Sequence, residues 1–156
     1  MQKRFINKKN VQNIVLSIGI VVFVILLVLS ISISPVFALT DLQRVTISDL
    51  KFVNAVGAPI GNNVNVDRTL HISAEITNNQ EKPQNFVYIV QIKNKIGFVV
   101  SLGWISGQLT PDQKLSLSLS WMPNESGKYT AEIFIWEGLI NHSALVEYTT
   151  LQINVS

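Results

Sequence analysis

Residues 115–121 read Leu115-Ser116-Leu117-Ser118-Leu119-Ser120-Trp121, and the fold class follows from this run. Apolar and polar residues alternate without a break. Successive side chains of a β-strand point to opposite faces, so a strand would gather the leucines and the tryptophan on one face and the serines on the other. A helix would scatter the same four apolar side chains around its circumference. The run is therefore a strand with one buried and one wet face. Met122 to Gly127, containing Pro123 and Gly127, forms a turn, and Tyr129 to Trp136 forms the next strand.

Working outward, the same period recurs. Within Arg68 to Thr77, Leu70, Ile72, Ala74 and Ile76 alternate with His71, Ser73, Glu75 and Thr77. Phe86 to Lys93 is a further strand, with Phe86, Tyr88, Val90 and Ile92 as its inward set, because the other set ends in Gln91 and Lys93. A turn at Asn94–Gly97 leads into a strand from Phe98 to Ile105, and Gly107 to Gln113 forms a loop around Pro111. Val45 to Asn54 and Glu147 to Val155 supply the first and last strands, with Gly57, Pro59 and Gly61 punctuating the stretch after the first. No amphipathic helix follows residue 40. Short strands at this spacing predict an all-β, immunoglobulin-like antiparallel sandwich of about seven strands over residues 39–156. Its core is expected to contain Ile72, Ala74, Val90, Leu117, Leu119, Trp121, Tyr129, Ile133 and Ile153.

Glu125-Ser126-Gly127-Lys128-Tyr129-Thr130-Ala131 has the form of an acidic residue, x, Gly, x, Tyr, x and then, where immunoglobulin domains carry Cys, an alanine. Tyr129 is the expected tyrosine of the corner, its hydroxyl bonded to nearby backbone. Together with Glu75-Ile76-Thr77-Asn78-Asn79, Gly107-Gln108-Leu109-Thr110-Pro111 and Ser120-Trp121-Met122-Pro123, this segment resembles the CARDB-type and fibronectin-III-like domains of exported archaeal proteins. The resemblance covers residues 45–155. It implies a structural module without an active site, serving adhesion, surface display or support of neighbouring domains. Such modules usually stand in longer chains.

Residues 1–38 differ in character. Ile14 to Ile33 reads IVLSIGIVVFVILLVLSISI and contains no charge. About 20 helical residues span roughly 30 Å, the thickness of a bilayer core. Lys3, Arg4, Lys8 and Lys9 precede the run, giving +4, which holds the N-terminus in the cytoplasm and sends residues 39–156 across. Pro35 ends the helix. Val36 and Ala38 are the small residues a signal peptidase reads, with cleavage after Ala38. Two outcomes stand open: a retained single-pass anchor with the C-terminal domain outside, or a secreted domain released after Ala38.

Composition narrows the chemistry. Residues 39–156 carry eight Lys and Arg against ten Asp and Glu, a balance of −2 with no basic cluster, so no nucleic-acid partner is expected. The absence of cysteine removes disulfides, thiolate metal sites and a Cys nucleophile. His71 and His142 are the only histidines, one on a strand face and one in a loop, and no metal site is expected. No serine sits in a nucleophile elbow, no pair of acids is set for glycoside hydrolysis, and Gly57, Gly61, Gly103 and Gly107 are spaced as turn and edge glycines rather than a phosphate loop. The expectation is a protein without cofactor or catalysis. Asn124 and Asn141 begin N-x-S sequons in loops and are candidate glycan acceptors; Asn154 begins a third at the chain end.

One surface carries a functional expectation. If Tyr129, Ala131, Ile133 and Ile135 face the core, Phe134 and Trp136 face outward, and Val87 and Ile89 face outward from the neighbouring strand. These four residues form the candidate partner face. Either a protein or surface-polymer partner covers it, or the loop 138–146 folds over it, or cross-strand aromatic pairing there stabilises the sheet. The expected function is a non-enzymatic surface interaction or structural module, with an accessory single-pass subunit of a larger membrane complex as the alternative.

Overall fold

The computed structural model of the chain describes residues 16–23 and 39–156. It divides into two compact units, Met1–Ala38 and Leu39–Ser156. In the first, residues 16–23 are helical. Among the described residues no helix is long and apolar enough to cross a membrane. Most of the uncharged run Ile14–Ile33, together with Pro35 and the Ala38 position, lies outside the described residues.

The second unit is the immunoglobulin-like β-sandwich. Its strands are β1 (Val45–Val53), β2 (Pro59–Ile60), β3 (Asn63–Val64), β4 (Leu70–Asn78), β5 (Gln84–Asn94), β6 (Val99–Leu109), β7 (Lys114–Trp121), β8 (Gly127–Trp136) and β9 (Thr149–Val155). One sheet has the order β2-β1-β4-β7 and the other β3-β9-β8-β5-β6. All pairings are antiparallel except β3 with β9. The seven long strands are those expected from the alternation. The two short ones arise within the Gly- and Pro-punctuated stretch.

The period-two faces meet as expected. Leu70, Ile72, Ala74 and Ile76 of β4 pack against Phe86, Tyr88, Val90 and Ile92 of β5 and Tyr129, Ala131, Ile133 and Ile135 of β8 in one core. Of the nine expected core residues, eight are buried and Leu119 is half-buried. Leu119 lies on β7, an edge strand of its sheet, where it fills the space in front of Gly103.

Strand β6 runs further than expected, through Leu109, because Gly107 and Gln108 still pair with Phe86 and Asn85. Gly107 leaves room for the Phe86 ring: a Cβ there would lie 3.1 Å from two of its carbons. Here a glycine that reads as a loop signal is a packing requirement inside a strand.

Two turns share one chemistry. In Asn94-Lys95-Ile96-Gly97-Phe98 the Asn94 side-chain oxygen accepts from the amides of Ile96 and Phe98, and Gly97 adopts φ 90°. In Asn54-Ala55-Val56-Gly57-Ala58 the Asn54 oxygen accepts from Val56 and Ala58, and Gly57 adopts φ 81°. The asparagine stands in for a backbone acceptor and the glycine supplies the left-handed residue.

The resemblance segments have structural roles. Asn78 is fully buried, and its amide donates to the carbonyls of Lys82, Leu109 and Thr110 while its oxygen accepts from the Gln80 amide. It ties the β4–β5 loop to the β6–β7 loop. The Tyr129 hydroxyl donates to the Glu125 carbonyl at 3.0 Å, forming the corner at the start of β8.

Candidate functional site

The outer face of the five-stranded sheet is assembled by register. Ile89 of β5 stands opposite Trp104 of β6 on one side and Phe134 of β8 on the other. Two residues along, Val87 stands between Ser106 and Trp136. The four residues expected to share a face, Val87, Ile89, Phe134 and Trp136, therefore lie together as two cross-strand pairs.

Their exposures differ. Val87 is 3% and Ile89 6% exposed, although both point away from the core, while Phe134 and Trp136 are half-buried. The cover on the β8 side comes from an aromatic row. Tyr148 stacks on Phe134 with ring centres 5.5 Å apart, Phe134 lies 5.8 Å from Trp136, and His142 meets Trp136 edge-on at 5.6 Å. His142 and Tyr148 belong to the β8–β9 connection, His142 within residues 138–146 and Tyr148 beyond them. His71 sits on β4, in the other sheet.

The connection is anchored at several points. Glu137 and Gly138 amides donate to the carbonyls of Ser143 and Asn141, and Leu145 donates to Ile135. Arg44, just before β1, donates to Glu137 Oε2 at 3.0 Å and to Ser143 Oγ at 2.7 Å. One guanidinium thus fixes the loop to the entry of the domain.

On the β6 side the face stays open. Leu102 is 54% and Trp104 52% exposed. With Ile89, Gln91, Phe134, Trp136 and Leu139 they line a shallow, mainly apolar groove of about 240 Å³. Further along the strands the face turns polar. Gln91 and Lys93 both donate to the Glu132 carboxylate, at 2.9 and 3.0 Å.

Leu102 and Trp104 were not among the expected face residues. The signal was present: with Gly103, Ile105 and Gly107 as the inward set of β6, alternation turns Leu102, Trp104 and Ser106 outward. Two inward glycines hide this, because they carry no hydrophobic mark.

No protein-family model and no curated protein sequence matches the chain. Among solved structures it is similar to the CARDB domain of a Pyrococcus furiosus protein, determined in complex with di-metal ions. That match has TM-score 0.51 and 16% identity, and covers 76% of this chain and 97% of that one. The fold is CARDB-like. The C-terminal domain of Wzt is similar at TM-score 0.56 and 14% identity, covering 79% of this chain and 80% of that one. Pseudomonas fluorescens alkylpurine DNA glycosylase AlkC, bound to DNA containing an abasic site analog, is similar at TM-score 0.53 and 11% identity, but only 31% of that chain is covered.

The metal ions belong to the Pyrococcus domain's crystal. Among the described residues of this CARDB-like domain, no group of three or more His, Cys, Asp or Glu is placed to hold one. The two candidate glycan acceptors in loops, Asn124 and Asn141, are both exposed. Asn124 lies in the β7–β8 turn, and Asn141 lies beside His142 at the rim of the aromatic row.

Proposed function

We propose that this chain is a non-enzymatic interaction module of the cell surface, binding a protein or surface polymer through the outer face of its five-stranded sheet. The observation that carries the reading is the open apolar groove formed by Leu102, Trp104 and Ile89 beside the aromatic row. Contiguous apolar surface of this kind marks binding sites in soluble domains, and tryptophan is a frequent interface anchor. The CARDB-like fold is in keeping with a module that holds rather than transforms its partner. Delivery rests on the uncharged run Ile14–Ile33 and the four basic residues before it. The domain then lies outside the cell, tethered by residues 1–38 or released after Ala38.

Two experiments test this. Protease added to intact, wall-stripped cells should digest residues 39–156; protection until the membrane is opened overturns the orientation. Residues 39–156, which form a compact unit of their own, should co-sediment with membrane-free envelope material, and the Leu102→Ser, Trp104→Ser double variant should lose that binding while remaining folded. Unchanged sedimentation overturns the assigned face. A discrete stable complex after gentle membrane extraction would instead favour the accessory-subunit reading.

A further inference from the structure

We infer that the chain self-associates by antiparallel pairing of β6 with β6 of a second copy, joining two five-stranded sheets edge to edge. This inference concerns the sheet edge and shares Leu102 and Trp104 with the proposed groove; its test reads mass and distance, not envelope binding, so the two readings fail separately.

Strand β6 is a sheet edge, with β5 on one side and no strand on the other among the described residues. Its ladder with β5 is unbroken from Gln84↔Leu109 to Ile92↔Ser101, so the free side presents a long regular row of backbone donors and acceptors. Folded proteins guard such edges with charge, proline, short length or cover. The other edges of this domain carry guards. Strands β2 and β3 are two residues long, β2 begins at Pro59, and β7 opens on Lys114 and shows serines on its outer face. From Ile96 to Thr110, by contrast, the chain has no charge and no proline.

The occupant follows from the symmetry of the strand. A two-fold axis through an antiparallel pair sets one residue opposite itself. With Gly103 at the axis, Trp104 of each copy lies beside Leu102 of the other on the outer face, and four half-exposed apolar side chains cover one another. The neutral run is bounded by Lys95 before it and Asp112 after it, both exposed. Antiparallel pairing about Gly103 brings Lys95 of each copy alongside the Pro111-Asp112 corner of the other, once at each end. Parallel pairing would set like charges together at both ends. The strand is thus complementary to itself in backbone pattern, apolar surface and charge, and only in the antiparallel sense.

The test uses the full chain in detergent micelles. Light scattering on the eluting protein should give the mass of two copies. The chain has no cysteine, so Ser106→Cys takes a single spin label. Label-to-label distance should then be about 20 Å, six residue steps of roughly 3.4 Å along the paired strands. Leu102→Lys places a charge on the edge at an exposed position; the mass should halve while circular dichroism still shows the folded β-sandwich, and melting should lose its dependence on concentration. A monomeric parent chain, a dimer lacking the short distance, or a dimer that survives Leu102→Lys each overturns the proposal.

Discussion

The hydroxyl of Tyr88, on the strand β5, donates to the carbonyl of Ile72 on β4 at 3.2 Å, so a single side chain hydrogen-bonds one sheet to the other through the core. Tyr88 is fully buried, and burial pushes its phenol well above the ordinary value of 10.0. The ring fills the interior, and its one polar atom is satisfied by a strand carbonyl.

Tyr88→Phe keeps the ring and removes the donor. Chemical denaturation should show a loss of about 1–2 kcal/mol. The pH dependence supplies a second check. The folded-state value is raised, so the neutral phenol's contribution is fully present below the unfolded value near 10.0 and is lost as pH rises above it. Alkaline unfolding should therefore become shallower in the Phe variant.

Leu117 is buried, and Ser118, its neighbour, is exposed on the opposite face. Leu117→Ala should cost about 2–5 kcal/mol in equilibrium unfolding. Ser118→Ala should stay within about 0.5 kcal/mol. Similar costs at both positions would contradict the observed alternation.

The two inward glycines of β6 should respond differently to a methyl group. At Gly107 it would press on the Phe86 ring at 3.1 Å, and Phe86 is buried in the core. At Gly103 it would meet Leu119 at an ordinary 3.5 Å. Gly107→Ala should destabilise by roughly 1–3 kcal/mol, as overpacking does, while Gly103→Ala should be close to neutral. Thermal melts of the two variants compare them directly.

Arg44→Ala removes the guanidinium that holds the β8–β9 connection through Glu137 and Ser143. Hydrogen exchange should speed up at the Gly138 and Leu145 amides, which bond to Asn141 and Ile135, more than at the central β5 amides. The envelope binding proposed for the groove should weaken with it, since Leu139 of the same connection lines the groove.

Much of this was legible from residue order alone. The alternation in Leu115–Trp121, Arg68–Thr77 and Tyr129–Trp136 decided strand identity and face, because side chains in a strand repeat every two residues whatever they pack against. The corner at Tyr129 and the shared face of Val87, Ile89, Phe134 and Trp136 followed from the same rule once β5 and β8 were taken as neighbours. What the tertiary structure decided is where those faces are covered. Val87 and Ile89 point outward yet are buried, on a central strand between large side chains of its neighbours: Trp104 and Phe134 stand beside Ile89, and Trp136 beside Val87. Leu102 and Trp104 remain open because β6 is the last strand of its sheet, and edge position depends on strand order. Alternation is a property of neighbouring residues in the chain, whereas cover and edges depend on which distant segments meet. For that reason the sequence alone specified the sandwich and its core, and only the folded molecule distinguished the buried Val87 and Ile89 from the open Leu102 and Trp104.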